Sequence, residues 1–66
     1  MKNGVLQANE GFDILVNSVH RTFRDVKTYA HNAALLIKTK NKQAIVEIVD
    51  RSTGAKMMML DDGRTA

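Results

Sequence analysis

Basic side chains are concentrated in the middle of the chain. Their clustering is the feature of the sequence that most clearly indicates a binding chemistry. Between positions 20 and 42, Asp25 is the single acidic residue among six lysines and arginines, and the whole chain has a net charge of +3. Phosphate groups are bound by several cations presented together, so this cluster predicts contact with nucleic acid. The candidate nucleic-acid contacts are Arg21, Arg24, Lys27, Lys38, Lys40 and Lys42.

The basic cluster has a second interpretation as a solvated surface. On a helix, His20, Arg24, Lys27 and His31 would form one stripe with spacings of 4, 3 and 4 residues. Such stripes are commonly solvent-facing, and lysines on an edge strand prevent sheets from pairing edge to edge. No helix-turn-helix or zinc-finger pattern supports nucleic-acid binding, and no predicted strand carries an aromatic residue to stack on a base. The sequence leaves both interpretations open.

Catalysis and metal binding find little support in the sequence. The chain has no cysteine, which excludes disulfides, thiolate metal sites and cysteine nucleophiles. On one helix, His20 and His31 would lie about 16 Å apart, too far to share a metal ion. Ser18 has no histidine or carboxylate at a persuasive spacing, and the isolated glycines form no phosphate-binding loop. We therefore expect no enzyme activity, no cofactor and no metal.

Length and composition predict one small domain spanning 1–66, with flexible ends at 1–8 and 61–66. The 66 residues are 44% hydrophobic and 26% charged, which is typical of a globular chain. No apolar run approaches the roughly 20 residues that cross a bilayer, and no signal-peptide pattern follows Met1, so we expect a cytoplasmic protein without membrane contact. Chains this short often need a partner to complete a core, which favours a homodimer.

The hydrophobic pattern predicts a helix at about 10–32. Asn9 is the expected N-cap and Asn32 the expected C-cap. The apolar residues recur at steps of 4 and 3, which places them on one helical stripe. This stripe comprises Phe12, Val16, Val19, Phe23, Val26, Ala30 and Ala33.

The rest of the chain predicts a three-stranded antiparallel meander, which gives an α+β fold class. The strands are expected at about 35–40, 43–50 and 55–60, with Asn41-Lys42 as a hairpin loop. A stronger turn lies at Arg51–Gly54, where Asp50 can bond to the turn backbone and Gly54 suits a left-handed conformation. In the alternative interpretation, residues 33–38 continue the helix and a single hairpin follows.

The middle strand indicates a protein interface. Ala44, Val46 and Ile48 alternate with a second set, Ile45, Glu47 and Val49, and one helix can cover only one of these two faces. The second face is therefore a candidate surface for a partner chain. The predicted interface residues are Ile45, Val49, Met57 and Met59.

These features together predict a non-catalytic small protein-interaction module. We expect it to form a homodimer and to act as a regulator or inhibitor by binding another protein. The compact, basic, cysteine-free chain is similar in style to the accessory products of bacteria or their phages. The alternative is a dimeric nucleic-acid-binding protein that uses a basic helix face and the lysines near 38–42. A third hypothesis is a subunit of a larger assembly.

Overall fold

A four-stranded antiparallel sheet with one helix forms the part of the chain that the computed structural model describes, residues 10–66. The strand order is β2-β1-β3-β4. The α+β class is confirmed, but the described residues form four strands rather than the expected three. The elements are Phe12–Val16 (β1), Val19–Arg24 (β2), Lys27–Lys40 (α1), Val46–Asp50 (β3) and Lys56–Met58 (β4).

A β-hairpin occupies most of the segment that was predicted to be helical, so the expected helix at 10–32 is wrong. Strands β1 and β2 pair in antiparallel fashion around a two-residue turn, in which Asn17 has φ 53° and Ser18 has φ 70°. Two consecutive positive φ values are typical of the type I′ turn, whose twist matches that of paired strands. The strands are rich in β-branched and aromatic residues, which favour extended backbone.

The helix α1 begins and ends later than predicted, so the strand at 35–40 and the loop at Asn41-Lys42 are also wrong. Residues 33–38 continue the helix, as in the alternative interpretation, and Asn32 lies within it. The segment is rich in alanine and leucine, which have high helix propensity. Asn41 instead ends the helix, where its backbone N–H donates to the carbonyls of Ile37 and Lys38.

Strands β3 and β4 lie inside the predicted ranges 43–50 and 55–60 but are shorter. The turn between them is confirmed, because the Asp50 carboxylate accepts hydrogen bonds from the Ser52 backbone N–H (2.8 Å) and hydroxyl (2.6 Å). Gly54 has φ 79°, a left-handed conformation that glycine adopts without steric cost. The local turn chemistry was therefore sufficient to locate this hairpin.

The core lies between α1 and one face of the sheet. The predicted alternation is confirmed there, since Val46 and Ile48 of β3 and the preceding Ala44 are buried. Small side chains on the helix allow α1 to approach the sheet closely. The buried core residues are Ile14, Ala30, Ala34, Ala44, Val46, Ile48 and Met59.

The C-terminal residues 61–66, which were expected to be flexible, return to the sheet. The backbone N–H groups of Met58 and Ala66 each donate to the other residue's carbonyl oxygen, both at 2.9 Å. These bonds cover the outer edge of β4 and leave β2 as the opposite edge strand. The flexible segment expected at 1–8 and the N-cap expected at Asn9 lie outside the described residues. Within 10–66, no helix has the length and apolar character needed to cross a membrane.

Candidate protein-binding surfaces

The sheet face opposite α1 carries apolar side chains that no helix within residues 10–66 covers. We call it the open sheet face and define it by Leu15, Phe23, Ile45, Val49 and Met58. Ile45 is 50% exposed and Met58 is 42% exposed, whereas the other three are partly buried. Two of the four predicted interface residues, Ile45 and Val49, therefore lie on one accessible surface.

The other two predicted interface residues lie on the helix-facing side of the sheet. Met57 pairs with the buried Ile48 rather than with Val49, and Met59 has no exposed surface. The β3–β4 register decides this, because directly paired residues share a face. Grouping Met57 and Met59 with Ile45 and Val49 was therefore wrong, and Met58 is the methionine on the open sheet face.

Charged groups on the open sheet face are paired with one another. The Asp13 carboxylate accepts hydrogen bonds from Nε of Arg51 at 2.8 Å and from its terminal nitrogen at 2.9 Å, and Nε2 of His20 lies 2.9 Å from the same group. The Arg51 hydrogen bond is the main cause that lowers the pKa of Asp13. The Arg51 guanidinium also stacks on the Phe23 ring, 4.3 Å from its centroid. These contacts join β1, β2 and the β3–β4 turn.

A second surface is the groove between the edge strand β2 and the helix α1. It contains two adjoining cavities of about 600 Å³ and about 220 Å³, which share Arg21, Leu36 and Ile37 as lining residues. Tyr29 and Leu36 are 60% and 57% exposed, so the groove has accessible apolar walls. We call this surface the basic groove, because three of its lining residues are cations and none is a carboxylate.

Three of the six predicted nucleic-acid contacts line the basic groove: Arg21 and Arg24 on β2, and Lys40 at the end of α1. The two arginines were expected on a helix face, and the hairpin places them on a strand instead. Lys27 and Lys42 are exposed outside the two cavities.

Lys38, the last of the six, has a structural role. Its ammonium donates to the carbonyls of Lys42 at 2.9 Å and Ala44 at 2.7 Å, and lies 3.6 Å from Asp61. These hydrogen bonds tie the end of α1 to the loop before β3, and the Lys38 side chain is only 12% exposed. The lysines at 38, 40 and 42, which the sequence analysis treated as one cluster, therefore lie in different environments.

Sequence reasoning missed Tyr29 and Leu36 in the groove, and Leu15 and Met58 on the open sheet face. Tyr29 and Leu36 lie seven residues apart, which is a helical spacing, but this signal is visible only once the helix is known to run over 27–40. Within residues 10–66, no group of three or more histidines or carboxylates could hold a metal ion. Comparisons with known protein families, with curated proteins and with solved structures gave no match for this chain.

Proposed function

We propose that this protein is a non-catalytic interaction module that binds another protein through the basic groove. The observation that carries this proposal is the combination of accessible apolar walls with a rim of cations that contains no carboxylate. Protein partners are recognised by apolar anchors that fill a groove and by charges that fix their orientation. Such a module acts by binding its partner, as expected for a small regulator or inhibitor.

Nucleic acid is the alternative ligand of the same cations, but it would contact only the charged part of the groove. A phosphate backbone would contact Arg21, Arg24 and Lys40 but leave Leu36 and Ile37 without apolar partners. Three phosphate contacts give weak binding that a fourfold rise in salt would reduce about 40-fold. Because Lys38 is already engaged within the chain, few further cations are available to strengthen that binding.

The function is tested by capture on the immobilised protein, with and without nuclease treatment of a cell lysate. We expect a protein that survives nuclease treatment to bind the wild-type chain and to be lost from the double variant Arg21→Ala, Lys40→Ala. The control, Lys27→Ala with Lys42→Ala, removes the same charge outside the groove and should retain the partner. Equal retention by both variants would show that the groove is not the site, and loss of all captured material on nuclease treatment would identify a nucleic-acid binder.

We also propose that the homodimer forms through the open sheet face. Its charges are already matched within each chain, since Asp13 is paired with Arg51 and Glu47 lies 4.0 Å from Lys56. A nearly neutral apolar face can pack against a second copy of itself, whereas two basic grooves would repel each other. The groove thus stays available to a different partner.

The dimer is tested by sedimentation of Met58→Lys, which places a charge on the β4 side of the open sheet face. Met58 pairs with Glu47, so the lysine gains an opposite charge across the strands and the fold should persist. We expect the wild-type chain to sediment with the mass of two chains and the variant with the mass of one. The control Thr39→Lys adds the same charge on the exposed helix surface and should remain dimeric. A dimeric Met58→Lys variant, or a monomeric wild-type chain, would contradict this assignment.

A further inference from the structure

A β-bulge on β2 directs Arg21 into the basic groove. Leu15 pairs with His20 and Ile14 pairs with Thr22, so Arg21 is an extra residue without a partner on β1. In a regular strand, consecutive side chains point to opposite faces. Here Arg21 and Thr22 both line the groove on the helix side of the sheet. Bulges re-aim side chains in this way and are common beside functional sites.

Two cations of the groove have no partner among the described residues and can bind a ligand. Within residues 10–66, the side chains of Arg21 and Lys40 make no hydrogen bond or ion pair. Arg24 differs, because its guanidinium donates to the Phe23 carbonyl at 2.8 Å and to the Thr22 hydroxyl. An unpaired cation beside an apolar wall is available to a carboxylate, and guanidinium binds carboxylates through paired hydrogen bonds.

The cations are distributed along the groove in a fixed order. Arg24 lies in the larger cavity with Tyr29, Arg21 is shared by both cavities, and Lys40 lies in the smaller one. Along α1, the distance from Tyr29 to Lys40 is about 16 Å, at 1.5 Å per helical residue. An extended segment of about five residues, at about 3.3 Å each, spans this length.

The chain's own C-terminal acidic pair is not the natural occupant. Asp62 is paired with Arg64 at 2.7 Å, and Asp61 lies 3.6 Å from Lys38. A second copy would also bring its own basic groove close to the first. Charge complementarity therefore favours an acidic segment supplied by a different protein.

From these observations, we propose that the basic groove holds an extended acidic peptide segment, whose carboxylates pair with Arg21 and Lys40 while an apolar side chain packs on Leu36. This inference rests on the proposed function and defines the chemistry of the partner. The bulge builds the site because it brings Arg21 to the same side as the helix. Apolar residues alternating with glutamate or aspartate fit both the wall and the cations of the groove.

The test uses three fluorescein-labelled five-residue peptides, in which valine alternates with glutamate, glutamine or lysine. Fluorescence anisotropy is measured with the full chain at low salt. Exposed ion pairs contribute modestly, so we expect the glutamate peptide to bind about tenfold more tightly than the glutamine peptide. The double variant Arg21→Ala, Lys40→Ala should lose this preference, and the double variant Lys27→Ala, Lys42→Ala should keep it.

The possible outcomes separate this inference from the proposed function. Equal affinity for the three peptides, no detectable binding of the glutamate peptide, or equal losses in both double variants would overturn the acidic-segment inference. Tighter binding of a single-stranded oligonucleotide with the same number of charges would overturn it in favour of nucleic acid. If protein capture still depends on the groove while the peptide preference is absent, the proposed function stands and only the partner's acidic chemistry is rejected.

Discussion

Met59→Ala is expected to lower the free energy of unfolding by about 2–4 kcal/mol, as truncation of a fully buried methionine leaves a cavity. Met59 has no exposed surface and belongs to the core cluster with Ile14, Val46 and Ile48. Its backbone N–H also donates to the Val46 carbonyl at 2.8 Å, which holds the Met59 backbone beside β3. Denaturant titration should show a lower midpoint with an unchanged dependence on denaturant concentration.

The neighbouring methionine provides a matched control for this prediction. Met58 is 42% exposed on the opposite face, so Met58→Ala should change the free energy of unfolding by no more than about 0.5 kcal/mol. Both variants are measured at a concentration where the wild-type chain is monomeric, which removes any contribution from self-association. Similar losses in the two variants would contradict the alternation of Met57, Met58 and Met59 that places Met59 in the core.

Gly11→Ala is expected to destabilise the fold by about 2–4 kcal/mol for two separate reasons. Gly11 has φ 115°, a conformation that side chains disfavour, and an added Cβ would overlap the ring of Phe23. Moving that ring would also disturb Arg51, which stacks on it and whose backbone N–H donates to the Gly11 carbonyl. Thermal unfolding should show a lower midpoint for the variant.

Gly54→Ala separates backbone strain from steric overlap. Gly54 also has a positive φ, at 79°, but an added Cβ would meet no atom within 4 Å. We expect a loss of about 1–2 kcal/mol from the left-handed backbone alone. If Gly54→Ala lowers the free energy of unfolding as much as Gly11→Ala does, steric overlap with the Phe23 ring adds nothing to the cost of the Gly11 substitution.

The features that the sequence predicted correctly depend on residues close together in the chain. The β3–β4 turn follows from Asp50 and Gly54, whose preferences act within a few residues. The buried face of β3 follows from strict alternation of side chains along one strand. The α+β class follows from the presence of both kinds of segment in one short chain.

The hairpin β1–β2 could not be distinguished from a helix by hydrophobic spacing. Phe12 and Val16 lie four positions apart, and residues an even number of positions apart share a strand face. Val19 pairs with Val16 across the two-residue turn. The same positions also fit a helical stripe with steps of 4 and 3. The density of β-branched residues was the available local signal, but it was weaker than the apparent periodicity.

The sequence by itself determined the composition of the binding surfaces, and the tertiary structure decided their location. Arg21, Arg24 and Lys40 were identifiable from their chemistry, as were Ile45 and Val49. Bringing β2 beside α1 required β1 to pair with β3, and the paired residues of these strands lie 30 to 38 positions apart in the chain. Such long-range pairing depends on how the whole core is buried, and no local propensity records it. The bulge that aims Arg21 into the groove is likewise a product of the β1–β2 register, which is set only when the sheet forms.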